Sequence, residues 1–248
     1  MSDTVIYLSN DKLFYTLEGE GEYVGHPSVF MRLAMCNLTC QGFASADSPH
    51  GCDSFISWSV KNKFTIEEIL DLMEKDGYAK HLKAGSIWKI TGGEPLIQQK
   101  KLLDLVKAFV ERFNFTPIID FETNATILPD QKWVDEYRAT FTTSPKLSNN
   151  GDPEDKRYKP AVLKWHVDNR SGFKFVINEE KDLDEIFEKY INNPDINVPH
   201  DRVWLMPCCG SREEHVEKAV MVAELCKKHY FHFSSRLQLI IWNKALCV

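Results

Sequence analysis

The most constraining feature of the chain is a set of three cysteines, Cys36, Cys40 and Cys52, that follows directly on an apolar run, 29–34, interrupted by one arginine, Arg32. The seven cysteines (36, 40, 52, 208, 209, 226 and 247) are odd in number, and Met1-Ser2-Asp3-Thr4 lacks the charged and apolar regions of a signal peptide. Free thiols and metal ligands are therefore expected rather than a disulfide framework. A count of three has its own chemistry. A cubane iron–sulfur cluster held by cysteine at only three irons leaves the fourth iron able to bind a small molecule. The competing reading is a zinc site in which His50 completes a three-cysteine, one-histidine set. The adjacent Cys208 and Cys209 have no role that the sequence assigns.

The composition bounds the rest. With 248 residues, 43% of them hydrophobic, there is material for one large core, and a single domain over 1–248 is expected. Thirty Lys and Arg stand against 36 Asp and Glu, a net charge of -6, which argues against a nucleic-acid or acidic-membrane surface. No apolar stretch approaches the roughly 20 residues of a membrane span. The expected ligand is a small molecule and the expected location the cytoplasm.

Short β-branched runs alternate with amphipathic segments. Strands are predicted at 29–35, 86–91, 117–122, 140–143, 173–177, 203–206 and 237–242. Thr65-Ile66-Glu67-Glu68 reads as a capping box opening a helix with Ile66, Ile69, Leu70 and Met73 on one face. Leu102, Leu103, Val106, Phe109, Val110 and Phe113 mark a second helix. Ser211-Arg212-Glu213-Glu214 opens a third, with Val216, Ala219, Val220 and Ala223 as its apolar face and Cys226 continuing it into the core. The polar stretch 149–160 is read as a long loop, since the alternation resumes beyond it. Such alternation predicts an α/β fold of parallel strands with ligands at the strands' carboxyl ends.

One of those ends carries Thr91-Gly92-Gly93-Glu94-Pro95. Alone it is also a plain strand-to-helix turn with Pro at the first helical position. Together with the cysteines it resembles the radical S-adenosylmethionine (SAM) superfamily, and within it the chain resembles the 7-carboxy-7-deazaguanine synthase family. The likeness runs in order through Tyr15-Thr16-Leu17-Glu18-Gly19-Glu20-Gly21, Phe30-Met31-Arg32-Leu33, Cys52-Asp53-Ser54, Phe121-Glu122-Thr123-Asn124, Ser144-Pro145-Lys146, Phe173-Lys174-Phe175 and Ser235-Arg236-Leu237-Gln238. Two departures stand out. The superfamily places two residues between its second and third cysteines, whereas eleven, 41–51, separate Cys40 from Cys52. Gln238 stands where the family commonly has His after Arg-Leu, and Gln cannot titrate.

The resemblance implies a partial (β/α) barrel of mostly parallel strands with the cluster loop at their C-terminal ends. It implies a 4Fe-4S cluster on Cys36, Cys40 and Cys52, and SAM held by Gly92, Gly93, Glu94, Glu122, Asn124, Ser144 and Lys146. The two glycines would let the methionine end of SAM approach the backbone. An arginine inside an apolar strand must find an anion; an internal Asp or Glu is one answer, and the resemblance implies the carboxylate of 6-carboxy-5,6,7,8-tetrahydropterin for Arg32. Glu20 would take the pterin's amino and ring N–H groups, with Glu18, Gly19 and Gln238 beside it. Ser54, where the family has threonine, would supply an oxygen to Mg2+. Asp53, Lys164, His166 and His232 are candidates for any proton transfer.

The implied reaction is ring contraction of the pterin to 7-carboxy-7-deazaguanine with loss of ammonia, begun by hydrogen abstraction and aided by magnesium, in 7-deazapurine (queuosine-type) biosynthesis. Implied partners are the pterin, an electron donor such as flavodoxin or ferredoxin, and a second copy in a homodimer. Two alternatives stay open: a radical SAM activase of a partner protein, and a non-enzymatic zinc-stabilised binding module.

Overall fold

The computed structural model describes residues 4–44, 49–52, 54–55 and 59–243. Among the described residues ten strands form one sheet: β1 (Val5–Leu8), β2 (Phe14–Leu17), β3 (Pro27–Leu33), β4 (Asn62–Thr65), β5 (Ile87–Gly92), β6 (Ile118–Thr123), β7 (Thr140–Thr143), β8 (Gly172–Ile177), β9 (Val203–Pro207) and β10 (His232–Phe233). Their order is β10-β9-β8-β7-β6-β5-β3-β1-β4, with β2 also on β3. Neighbours from β3 to β10 run parallel, while β1, β2 and β4 pair antiparallel at one side. The expected partial (β/α) barrel is thus present as an open arc, with the carboxyl ends of its parallel strands along one rim.

Strand geometry turns successive side chains to opposite faces, and here the two faces differ in kind. Val29, Met31, Trp88, Ile90, Ile119, Phe121, Phe173 and Phe175 are buried beneath the helices in two apolar clusters. The opposite, inner face carries Arg32, Lys89, Asp120, Glu122, Thr142 and Lys174. The register sets Lys89 beside Asp120 and Glu122 beside Thr142. Charges that the core cannot accept are gathered on the face that becomes the site.

The predicted capping box at Thr65 forms: its hydroxyl accepts from Glu68 N–H (3.2 Å) and the Glu68 carboxylate from Thr65 N–H (2.7 Å). Ile66, Ile69, Leu70 and Met73 of the helix Ile66–Lys75 are buried as read. In the helix Gln99–Phe113 the buried residues are Leu102, Leu105, Val106 and Phe109, with Leu103, Val110 and Phe113 packed at the margin.

Three expectations need correction. The helix Arg212–His229 starts where Ser211 caps Glu214 N–H (3.3 Å), but the Glu214 carboxylate accepts from Gly210 N–H (2.6 Å). Its buried side chains are His215, Val222, Leu225 and Cys226, and Val216 and Val220 are 66% and 69% exposed. Val222 and Leu225 join the apolar cluster that holds Phe173, Phe175 and Leu205, which turns Val216 and Val220 outward and leaves Ala219 and Ala223 half-buried; Cys226 is core as expected. The run 237–242 is a helix, Leu237–Trp242. Leu237 N–H donates to Gly19 carbonyl (2.9 Å) and Arg236 carbonyl accepts from Leu239 N–H (2.9 Å), which starts a helical turn; a short apolar run does not distinguish the two periods. The stretch 149–160 holds a short helix, Glu154–Arg157, and leads into the helix Pro160–Asp168, because Pro153 and Pro160 pre-set φ for helical starts.

The two faces of Arg212–His229 give a direct check. Val222→Ala is expected to cost about 1.5–3 kcal/mol in urea unfolding. Val220→Ala is expected to stay within about 0.5 kcal/mol of the parent; a larger loss there would restore the outward stripe to the core.

Candidate active site

Each feature of the rim begins where a parallel strand stops. Beyond β3, Met35 and Cys40 adopt positive φ (74° and 52°), which bends the cysteine loop over the end of β5. There Gly93 N–H donates to Leu33 carbonyl (3.1 Å) and Glu94 N–H to Met35 carbonyl (2.9 Å). A Cβ on Gly92 would lie 2.1 Å from Leu33 oxygen, and one on Gly93 2.0 Å from Met35 oxygen. The glycines thus admit the chain's own cysteine loop, a physical reason different from close approach of a ligand. Gly51 does the same at the far end of the detour, where a Cβ would lie 2.3 Å from Cys40 oxygen.

Cys36, Cys40 and Cys52 all line one cavity of about 460 Å3, and none is disulfide-bonded. Burial, with Glu94, Cys40 and Cys52 nearby, pushes the Cys36 thiol up to about 12. Neighbouring thiols that disfavour one another's ionisation in a buried site suit a cationic group. Among the described residues no three His, Cys, Asp or Glu converge on the spacing of a single ion, and His50 stacks on Phe55 at 4.4 Å. A cubane keeps its cysteine sulfurs farther apart than one zinc ion does, so this donor set fits the cluster better than the zinc quartet.

The inner face forms the next wall. Lys174 Nζ pairs with Glu20 Oε2 (2.6 Å) and with Glu122 Oε1. Glu20 Oε1 also accepts from Arg236 Nε (3.0 Å) and Gln238 Nε2 (2.8 Å). Lys89 pairs with Asp120 (2.6 Å) and Glu18 (2.9 Å), and Glu18 Oε1 accepts from the N–H groups of Gly19 and Glu20 (2.9 and 3.0 Å). Glu18 therefore braces the turn that presents Glu20. Burial alone would raise the Glu20 carboxyl, but Lys174 and Arg236 outweigh it and hold it well below the carboxylate range. Burial likewise opposes Glu122, whose ion pair with Lys174 brings it to about 2. Burial would lower the Lys174 ammonium, yet Glu122 and Glu20 raise it.

Arg32 Nη1 lies 3.4 Å from Ser54 Oγ, both lining the cavity. Among the described residues no carboxylate is within ion-pair distance of Arg32. Gly92, Gly93, Glu122, Asn124, Ser144 and Lys146 line the same cavity. Lys146 Nζ donates to Ser144 Oγ (2.9 Å) and Asn124 Nδ2 to Asn37 Oδ1 (3.0 Å). Glu94 sits behind them, fully buried. It accepts from Leu96 N–H (3.0 Å), Thr123 Oγ1 (2.9 Å) and Asn124 N–H (2.8 Å). Burial pushes its carboxyl to about 7 against those bonds. Glu94 ties the ends of β5 and β6 together.

Three of the four proton-transfer candidates lie elsewhere. His166 is buried between Thr143 Oγ1 and Ser171 Oγ (3.1 and 2.9 Å), and burial pushes it to about 3. His232 stacks on Trp204, Lys164 pairs with Asp168 at the surface, and Asp53 is outside the described residues. Sequence reasoning missed Lys89, Asp120, Lys174 and Arg236 as parts of the site. For Lys89, Asp120 and Lys174 the signal was present, since a charge inside Ile87–Gly92, Ile118–Thr123 or Gly172–Ile177 needs a partner as much as Arg32 does. Cys208 and Cys209 also line the cavity, with Cys209 Sγ 3.6 Å from His215 Nδ1.

Comparison with known proteins gives the chain's family. Residues 17–132 match the family of 4Fe-4S single cluster domains. A 7-carboxy-7-deazaguanine synthase from Pyrobaculum aerophilum is 29% identical over 240 residues, 94% of each chain. One from Aquifex aeolicus is 30% identical over 235 residues, covering 92% of this chain and 90% of its own. The chain belongs to the 7-carboxy-7-deazaguanine synthase family. It is accordingly a radical SAM lyase, and the activase and zinc-module alternatives fall away. QueE from Escherichia coli shares the fold, with a TM-score of 0.63 at 19% identity over 95% of both chains. The 4Fe-4S match takes in all three cysteines, Arg32, the Gly-Gly-Glu-Pro turn and Glu122. No described helix is long and apolar enough to cross a membrane.

In this synthase-family chain Lys174 is the keystone, and its removal is predicted to show in stability. Lys174→Met leaves Glu20 and Glu122 short of their cation and is expected to cost about 3–5 kcal/mol at pH 7. Glu122, lowered from 4.5 to about 2, adds stability present above the unfolded value and lost as pH falls through the folded one. In the variant protonation relieves the uncompensated carboxylates. The gap between the two proteins in urea unfolding should therefore narrow from pH 7 towards pH 3; a constant gap would contradict the ion-pair account.

Proposed function

We propose that the enzyme contracts the ring of 6-carboxy-5,6,7,8-tetrahydropterin to 7-carboxy-7-deazaguanine, the product in its relatives' name, with loss of ammonia. The observation that carries this reading is the pairing, in one cavity, of an arginine with no described carboxylate partner and a glutamate locked in its ionised form. Arg32 would anchor the substrate carboxylate through its planar fork. Glu20 is an acceptor with about four lone-pair sites, three of them met by Lys174, Arg236 and Gln238. Gln238 Oε1 is a buried acceptor without a donor among the described residues. Glu20 and Gln238 together offer neighbouring acceptors to the pterin's amino and ring N–H groups. Gly19 leaves room for them, since a Cβ there would lie 1.8 Å from Gln238 Oε1.

Cys36, Cys40 and Cys52 would hold the 4Fe-4S cluster, and Gly92, Gly93, Glu122, Asn124, Ser144 and Lys146 would border SAM, with Glu94 bracing them from behind. Cluster and SAM, when bound, supply the one-electron step and the hydrogen abstraction that begin the reaction. The residues of the chain bind, orient and exclude water. Gln238 moves no proton, and neither do Lys164, His166 or His232, which face away. Ser54 offers magnesium one hydroxyl, while Glu18, Glu20 and Glu122 are committed to lysines and Arg236. An ion beside Ser54 would thus rely on water and substrate oxygens for its octahedron. A low-potential donor such as flavodoxin or ferredoxin, a homodimer and a cytoplasmic setting complete the reading.

The test is anaerobic mass spectrometry of cluster-reconstituted protein with SAM, reductant, magnesium and the pterin. Loss of ammonia and appearance of the carboxy-deazaguanine are expected, and Cys52→Ala should abolish both. Arg32→Ala should lower kcat/KM by about 10- to 100-fold, the loss of hydrogen bonds to a charged group. If 5'-deoxyadenosine forms while the pterin is untouched, the substrate assignment fails. Chelating magnesium should lower kcat/KM, and Ser54→Ala should do likewise without altering the cluster spectrum.

A further inference from the structure

The eleven-residue interval between Cys40 and Cys52 begins against the polar segment that follows β7. The structure joins them. Cys40 N–H, Thr39 N–H and Thr39 Oγ1 all donate to the Asp152 carboxylate (2.9, 3.1 and 2.9 Å). The same carboxylate accepts from Asn150 Nδ2 (2.9 Å), and that amide nitrogen also lies 3.6 Å from Cys40 Sγ. Asn150 is completely buried. Its Oδ1 accepts from Asp152 N–H (3.0 Å), which leaves the NH2 group as the end facing the sulfur. Its two hydrogens meet two acceptors, a carboxylate oxygen and a cysteine sulfur. The backbones also abut, since a Cβ on Gly42 would lie 2.2 Å from Asn149 oxygen.

We infer that Asn150 is a positioning residue of the cluster: it donates an N–H···S hydrogen bond to the Cys40 thiolate and, with Asp152, clamps the start of the long cysteine loop. The inference rests on Cys40 being a cluster ligand. Hydrogen bonds to the sulfurs are among the levers that set a cluster's potential. One-electron reduction by a low-potential donor adds negative charge that is shared with the sulfurs, and a donor aimed at one of them stabilises the reduced form. Asn150 thereby makes the cluster easier to reduce, while Asp152 keeps Cys40 from following the detour outward. Neither residue was singled out by the sequence, and neither touches the proposed pterin pocket.

The experiment is an EPR-monitored redox titration of the reconstituted enzyme and of Asn150→Leu, which keeps the bulk and removes the donor. The variant's potential should move negative, by up to about tenfold in the ratio of reduced to oxidised cluster at fixed potential, or ~59 mV for one electron. An intact cluster with an unmoved potential overturns the inference. If the variant holds no cluster, pulsed EPR of the parent decides, with 15N-labelled asparagine and deuterated solvent. A nitrogen and an exchangeable deuteron coupled to the reduced cluster support the bond, and their absence overturns it. A parent that forms no 4Fe-4S signal at all instead sinks the assignment of Cys40, and this inference with it.

Discussion

The ammonium of Lys174, wholly enclosed and shared by Glu20 and Glu122, is the interaction on which the site depends. A buried cation without partners would lose its proton or unfold its surroundings. Here it is part of a ladder of ion pairs across the inner face of the sheet: Lys89 with Glu18 and Asp120, then Lys174 with Glu122 and Glu20, which Arg236 also holds. Four carboxylates meet three cations in that ladder, and Arg32 on β3 brings a fourth cation to the same cavity. The cavity exists because charged side chains occupy positions that branched apolar residues fill in an ordinary (β/α) barrel. A polar, acceptor-lined pocket and a stable sheet are thus two consequences of one alternation.

That alternation was legible in part. The strands β3 and β5 to β9 follow from their β-branched and aromatic runs, and the Thr65 capping box marks a helix start to the residue. Apolar periodicity gave the right face for helices with large side chains. It failed in Arg212–His229, where Ala and Val at 216–223 matched the helical period while Val222 and Leu225 had the better partners on β8 and β9. It failed again at 237–242, whose conformation is fixed by the contact of Leu237 with Gly19, far away in sequence.

For the site, the legible part was chemical type and the hidden part was mutual position. The cysteines and Arg32 announce themselves because few structural roles require them, and Glu20 and the Gly-Gly-Glu-Pro turn become informative beside them. Lys89, Asp120 and Lys174 could have been read by the argument applied to Arg32, being charges at inward positions of apolar strands. The work of Gly92 and Gly93 could not, because what they admit is the backbone of Leu33 and Met35, some 60 residues earlier. Asn150 and Asp152 were hidden by a greater distance, 110 and 112 residues from Cys40.

The long interval between the second and third cysteines is a small perturbation once these anchors are considered. Lengthening a flexible loop from two residues to eleven costs about 1.5 kcal/mol in closure entropy, at roughly 0.6 kcal/mol per doubling. Against it stand four donors on Asp152, from Thr39, Cys40 and Asn150, each worth about 0.5–1.5 kcal/mol net. The return is pinned where Gly51 meets the Cys40 carbonyl. Both ends of the detour are therefore fixed against the rim, and the positions of the three sulfurs depend on those ends rather than on the residues between. A chain can depart from the superfamily's spacing and keep its ligand set, provided that a second segment, here 149–152, supplies the clamp that a short loop does not need.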